Sequence, residues 1–136
     1  MNPDIIDSLL PTEMASKAES LGVDKAKMPL SKTVVLSVLA GAFIAFGSIF
    51  FTTVTTASTM SYGVTRLLGG LSFSLGLVLV IVGGAELFTG NNLIIMAWAN
   101  KKVSTLQILK NWSIVFLGNF VGALFMVVLM LLSKQY

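Results

Sequence analysis

The sequence contains no cysteine and no histidine, and each absence excludes a kind of chemistry. Without cysteine, the chain forms neither disulfides nor thiolate metal sites. Without histidine, it lacks the commonest metal ligand and the usual general base at neutral pH. We therefore expect no catalytic residues, no metal site and no cofactor, and we predict that the protein is not an enzyme.

Charge is also scarce and unevenly placed. Charged residues make up 11% of the 136 residues and hydrophobic residues 55%, whereas soluble domains carry about 25% charged residues. So few charges do not cover a surface that faces water, which predicts a protein surrounded by membrane lipid. The acids are concentrated near the N-terminus, and Glu86 is the only one after Asp24. The net charge of +3 comes from lysines spread between apolar segments and does not indicate nucleic-acid binding.

Three segments are apolar enough to cross a bilayer, which takes about 20 residues in a helix. We predict membrane spans at about 33–55, 67–99 and 111–132, with the second one broken at 83–92. These spans form a membrane domain at 31–136. The predicted fold class is therefore an all-α integral membrane protein with three transmembrane helices.

Residues 1–30 are polar and predict a cytoplasmic N-terminal helix followed by a linker. Leu10, Met14, Ala18 and Leu21 recur at helical spacing and form an apolar stripe, and Gly22 is placed to end the helix. The stripe indicates an amphipathic helix on the membrane surface or against the mouth of the protein. A solvated tail is the alternative. The acidic start is not typical of a cleavable signal peptide.

The lysines predict the orientation in the membrane. Four lysines precede the first span and three lie between the second and third spans, whereas Arg66 and Lys134 fall on the other side. Positive residues accumulate on the cytoplasmic side of membrane proteins. We therefore predict a multi-pass protein of the bacterial inner membrane with a cytoplasmic N-terminus.

The second span is interrupted by the sequence GGAELFTGNN at residues 83–92. Unpaired peptide groups cost several kcal/mol each in lipid, so irregular backbone must be buried in protein or line a water-filled cavity. A carboxylate near the membrane is rare, and function is its default interpretation. We therefore place the functional site at this break, with Glu86 as its first candidate. The alternatives are that Glu86 caps a helix at the interface and that Asn91 is an ordinary turn residue.

Two further patterns concern the helices around the break. Phe73 and Leu77 share one face of the second span, where bulky apolar residues could gate a pore by dewetting or simply pack against the first span. Gly118 and Gly122 form a GxxxG pair in the third span, with Asn119 between them. Such pairs permit close helix packing.

Three stretches of the sequence resemble the formate/nitrite transporter family, and within it the formate channels. They are LLPTEMASKAESLGV, LLGGLSFSLGLVLVIVGGAELFTGN, and KNW followed by GNFVGAL. The resemblance implies half of an aquaporin-like, six-span inverted-repeat channel that assembles as a homopentamer in membrane lipid. It also implies that the full-length chain or a second polypeptide supplies the missing C-terminal half, including the family's pore histidine, which matches nothing here.

The resemblance also implies roles for individual residues. It assigns the pore constriction to four side chains: Phe73, Leu77, Leu87 and Phe88. It places Thr89 at the pore centre, and we expect Glu86, Gly90 and Asn91 to form hydrogen bonds with solute from the same loop. Asn119 resembles a polar residue near the repeat interface and, like Gly118 and Gly122, is expected to serve helix packing.

The implied function is a membrane channel for small monovalent anions or their weak acids. We expect formate as the solute, with nitrite or hydrosulfide as alternatives. An aquaglyceroporin-like pore is a competing class, but its Asn-Pro-Ala motifs are missing, since the only prolines are Pro3, Pro11 and Pro29. A non-conducting membrane subunit is the third possibility.

Overall fold

A computed structural model describes residues 10–134, and all regular secondary structure in this range is helical. The helices are α1 (Pro11–Lys27), α2 (Leu30–Thr55), α3 (Tyr62–Val82), α4 (Phe88–Asn91), α5 (Ile94–Ala99) and α6 (Thr105–Ser133). Helices α2, α3 and α6 are long and apolar enough to cross a membrane. The predicted class, with three spans and a break after the second long helix, is confirmed. Residues 1–9 of the predicted N-terminal segment and Tyr136 lie outside the described range.

The long helices begin earlier than predicted, α2 at Leu30, α3 at Tyr62 and α6 at Thr105, and local hydrogen bonds hold polar residues at their ends in the helix. Thr52, Thr53 and Thr55 each donate a hydrogen bond to the backbone carbonyl four residues earlier, so the polar end of α2 continues to Thr55. Ser104 begins α6 with a capping box, in which its hydroxyl and the Gln107 side chain satisfy each other's backbone N–H groups. Because α3 begins at Tyr62, the connection between α2 and α3 is shorter than predicted.

Helix α1 does not end at Gly22 as predicted, but continues to Lys27. Gly22 is buried against α5, and a Cβ there would lie 3.2 Å from Ile94 Cα and 3.3 Å from Ala97 Cβ. The glycine therefore serves the close approach of two helices rather than a helix end. Val23 and Ala26 pack on the same contact, whereas Leu10, Met14 and Leu21 of the predicted stripe remain exposed.

Glycines also set the distance between α2 and α6. A Cβ at Gly118 would overlap Ser37 Oγ, and a Cβ at Gly122 would overlap the Val38 carbonyl oxygen. On the other side of the contact, a Cβ at Gly41 would overlap the Asn119 carbonyl oxygen. Any larger residue at these positions would push α2 and α6 apart.

The break after α3 is shorter than predicted. Helix α3 ends at Val82, and Gly84 adopts a φ of 60°, a left-handed conformation that favours glycine. The predicted irregular stretch reached residue 92, but Phe88–Asn91 forms a helical turn closed by the Asn91 N–H donating to the Leu87 carbonyl at 3.0 Å. The backbone between α3 and α4 is thus non-helical for five residues, 83–87.

Candidate functional site

The peptide groups of the break are bound by the neighbouring spans. The Glu86 N–H donates to the Leu36 carbonyl of α2 at 3.1 Å. The Phe88 N–H donates to Asn119 Oδ1 at 2.9 Å, and Asn119 Nδ2 donates to the Glu86 carbonyl at 2.9 Å. These bonds replace the water that irregular backbone would otherwise require.

Three side chains from α1, the break and α4 form a buried polar cluster. Glu86 is 3% exposed and Asn91 is completely buried. Lys25 Nζ lies 2.6 Å from Glu86 Oε1 and donates to Asn91 Oδ1 at 3.2 Å, while Asn91 Nδ2 donates to Glu86 Oε2 at 2.8 Å. The carboxylate is therefore paired and hydrogen-bonded through both oxygens, which a buried charge requires.

Helix α6 completes this cluster. Asn91 Nδ2 donates to Asn111 Oδ1 at 2.8 Å, and Asn111 Nδ2 donates to the Lys25 carbonyl at 3.1 Å. Trp112 Nε1 donates to the Asn91 carbonyl at 3.1 Å. The cluster thus ties α1, the break, α4 and α6 together.

An open groove of about 620 Å³ runs beside the cluster, between α1, α3 and the break. Leu77 and Leu87 give it apolar walls, and Thr89 and Gly90 line it from α4. Lys25 and Glu86 also reach its edge. The lining is thus mostly apolar, with polar side chains from α1, the break and α4.

The structure does not bring all the predicted site residues to this groove. Phe73 is exposed on α3 but is not among the lining residues. Phe88 packs edge-on against Trp112 and Phe116 of α6, with ring centroids 6.3 and 5.6 Å apart. Asn91 points into the buried cluster. The pore roles assigned to these residues stay predictions.

Sequence reasoning missed Lys25, Asn111 and Trp112 as site residues. One signal was available for Lys25, because a lone carboxylate in an apolar region needs a cationic partner. However, Lys25 and Glu86 are 61 positions apart. Nothing in the sequence distinguishes Lys25 from the other three lysines before the first span, which indicate only the orientation.

A second ion pair joins α1 to the loop after α5. Lys102 Nζ lies 3.1 Å from Glu19 Oε2. The nearby Asn100 amide and the Lys102 ammonium together hold the pKa of the Glu19 carboxyl below its usual range. The contact therefore depends on Glu19 being ionised.

These features define a membrane protein whose second crossing is a broken helix, with its irregular backbone held by protein beside an open groove. Broken helices of this kind form the binding sites of many transporters.

Residues 12–136 match the formate/nitrite transporter family, and the chain belongs to that family. It is 47% identical over 131 residues to the formate channel FocA of Escherichia coli K12, covering 96% of this chain and 46% of that protein. It is 40% identical to the formate channel FocA of Haemophilus influenzae over 129 residues, which cover 94% of this chain and 45% of that protein.

Two solved structures share the fold. One is a pentameric formate channel with formate bound, with a TM-score of 0.72 and 45% identity over 78% of this chain and 42% of that chain. The other is an FNT family ion channel, with a TM-score of 0.80 and 28% identity over 90% of this chain and 50% of that chain. The chain spans about half the length of the relatives that it matches.

Proposed function

We propose that this chain forms half of a membrane channel that conducts formate. The observation that carries the proposal is the groove beside the break, which is lined by apolar Leu77 and Leu87 and by Thr89. Membership of a family that includes formate channels supports the same solute. The proposed function is transport and not catalysis.

The physical problem for such a channel is the cost of moving an anion past apolar side chains. An unpaired charge at that depth costs several kcal/mol or more. Between Thr33 and Lys101 the only basic residue is Arg66. Lys25, which lines the groove, is paired with Glu86, so this half offers little uncompensated positive charge along the path. We infer that formate passes the constriction as its neutral acid, and that the Thr89 hydroxyl replaces one of its bonds to water.

In the proposed channel, some of the predicted site residues line the path of the solute and others support it. Leu77 and Leu87 narrow the groove, and Phe73 lies beyond it on the same helix. Phe88 supports the loop from behind through its aromatic contacts. Glu86, Gly90 and Asn91 shape the loop, and the Lys25–Glu86 pair places a compensated charge at the groove's edge.

The proposed assembly is a homopentamer in the bacterial inner membrane, with α1 on the cytoplasmic side. The other half of each pore comes from the remainder of a longer chain or from a second polypeptide. The pentameric channel of similar fold supports this arrangement, and the distribution of lysines supports the orientation.

The decisive experiment measures uptake of labelled formate, nitrite and hydrosulfide into vesicles that contain the full-length protein. We expect formate uptake well above that of empty vesicles, and faster uptake when the outside is acidic. Preferential uptake of nitrite or hydrosulfide would identify that anion, instead of formate, as the solute. Uptake of none of the three, by protein that is folded and assembled, would contradict the channel.

A further inference from the structure

We propose that Asn119 is a positioning residue, which fixes the shape of the pore constriction by holding the backbone on both sides of Leu87. The inference rests on the proposed channel function and deepens it. Helix packing is the role expected for Asn119 from the sequence, and the inference adds a role in solute selection.

The side-chain amide of Asn119 uses both of its N–H groups, one on the break and one on α2. Nδ2 donates to the Glu86 carbonyl at 2.9 Å and to the Ser37 carbonyl at 2.8 Å, and Oδ1 accepts from the Phe88 N–H at 2.9 Å. An amide nitrogen has two hydrogens to give, and both are used. The one side chain therefore joins α6 to α2 and to the break.

The two bonds to the break enclose a single residue. Glu86 provides the carbonyl before Leu87, and Phe88 provides the N–H after it, so the peptide units on both sides of Leu87 are fixed. Leu87 itself is extended, with φ −93° and ψ 134°. Asn119 therefore helps to set the direction of the Leu87 Cα–Cβ bond, and the side chain also packs against the cluster of Ala40, Val80 and Ala85.

A second anchor makes this arrangement rigid. The Glu86 N–H donates to the Leu36 carbonyl of α2 at 3.1 Å, and the Ser37 carbonyl, which accepts from Asn119, is the next one along that helix. The break is thus held from α2 directly and from α6 through Asn119. Loss of the Asn119 bonds would free the two peptide groups beside Leu87 from α6, while the Glu86 side chain would stay bound to Lys25 and Asn91.

The glycines around Asn119 allow its side chain to reach the break. A Cβ at Gly41 would overlap the Asn119 carbonyl oxygen, and a Cβ at Gly118 would overlap Ser37 Oγ. Helix α6 therefore lies so close to α2 that the short asparagine side chain spans the gap. A longer amide such as glutamine would not fit the same distances.

The test compares variants of the full-length protein in vesicles, with uptake normalised to the amount of assembled protein. Asn119→Leu keeps the approximate size of the side chain but removes all three bonds. We expect the ratio of formate to acetate uptake to fall on the order of tenfold, because a displaced constriction no longer excludes the larger acid. Ser72→Ala is the control, since the Ser72 hydroxyl is buried but bonds only within α3, to the Leu68 carbonyl at 2.8 Å.

Asn119→Asp provides a readout that a purely structural role would not change. Its carboxylate lacks the two donors, whereas its protonated form regains one. We expect formate uptake relative to the unaltered protein at the same pH to rise as the pH falls from 9 to 5, the range in which buried carboxyls titrate. A flat ratio, or an unchanged formate-to-acetate ratio in Asn119→Leu, would overturn the proposal.

Hydrogen exchange separates this inference from the channel function. Peptides covering residues 83–92 should exchange faster in Asn119→Leu than in the unaltered protein, while α3 keeps its protection. Should that variant not assemble, Asn119→Asp at pH 9 serves for the same measurement, and unchanged exchange overturns the inference. If the unaltered protein conducts no formate but the exchange result holds, the proposed channel function is wrong. The role of Asn119 in fixing the backbone around Leu87 is then still supported.

Discussion

Lys25 Nζ and Glu86 Oε1 lie 2.6 Å apart, which joins the N-terminal helix to the broken membrane span across 61 positions of sequence. Glu86 is almost fully buried, and the Lys25 side chain retains 24% of its exposure. The pair is therefore shielded from water on the carboxylate side. Because of this contact, α1 is a structural part of the proposed site.

Replacing Glu86 with glutamine should weaken the docking of α1. The substitution removes the charge that compensates Lys25, and we expect a loss of about 2 kcal/mol, below the roughly 3–5 kcal/mol of a fully buried pair, because Lys25 is partly exposed. Chemical unfolding and protease cleavage within α1 would measure the change. Asp24→Asn in α1 is the control, since it also replaces a carboxylate with an amide. Equal effects of the two variants would contradict the prediction.

Thr89→Ala should slow formate uptake without affecting assembly. Removing one neutral hydrogen bond costs about 1 kcal/mol, which corresponds to roughly a fivefold lower rate. Thr89→Ser keeps the hydroxyl and should retain most of the uptake. Similar rates for the alanine and serine variants would remove Thr89 from the path of the solute.

Gly122→Ala should destabilise the contact between α2 and α6. The added Cβ would overlap the Val38 carbonyl, which belongs to the backbone and does not rotate away, and overpacking of this kind costs about 1–3 kcal/mol. Gly63→Ala in α3 meets no atom within 4 Å and is the matched control. Thermal unfolding of the two variants in detergent would compare them, and equal midpoints would count against the close contact.

Acidification should release α1 from the loop after α5. The pKa of Glu19 is lowered in the folded protein by Asn100 and Lys102, so the unfolded state binds more protons than the folded state between the two pKa values. The stabilisation is fully present above the ordinary glutamate pKa of about 4.3 and is lost as the pH falls through the lower, folded value.

Hydrogen exchange in α1 between pH 7 and pH 3 tests this dependence, after correction for the intrinsic effect of pH on exchange. In Glu19→Gln the step below pH 4.3 should disappear. An identical step in both proteins would assign the transition to another carboxyl group.

Hydropathy and residue type predicted the three spans and the position of the break, because both depend on composition over short stretches. Gly83, Gly84 and Glu86 interrupt an apolar run, which makes the break visible without any knowledge of the fold. The third span was predicted to start too late, at 111, since the Ser104 capping box begins α6 at Thr105.

The contacts between distant residues were not predictable in the same way. Gly22 follows the usual pattern of a helix end, yet it is required by Ile94 on another helix. Likewise, Asn119 looked like a packing residue between two glycines, and only the approach of α2 and α6 shows that its amide reaches the break. Local patterns do not encode which distant backbone needs a small neighbour or a donor.

The polar cluster has a consequence for how the protein is made. Asn111 follows Asn91 by 20 positions and bonds both to it and to the Lys25 carbonyl. During synthesis, Asn91 is therefore added to the chain before the two residues of α6 that bind it, Asn111 and Trp112. The cluster can be completed only after the start of α6 has been made, so the final docking of α1 onto the break follows synthesis of the third span.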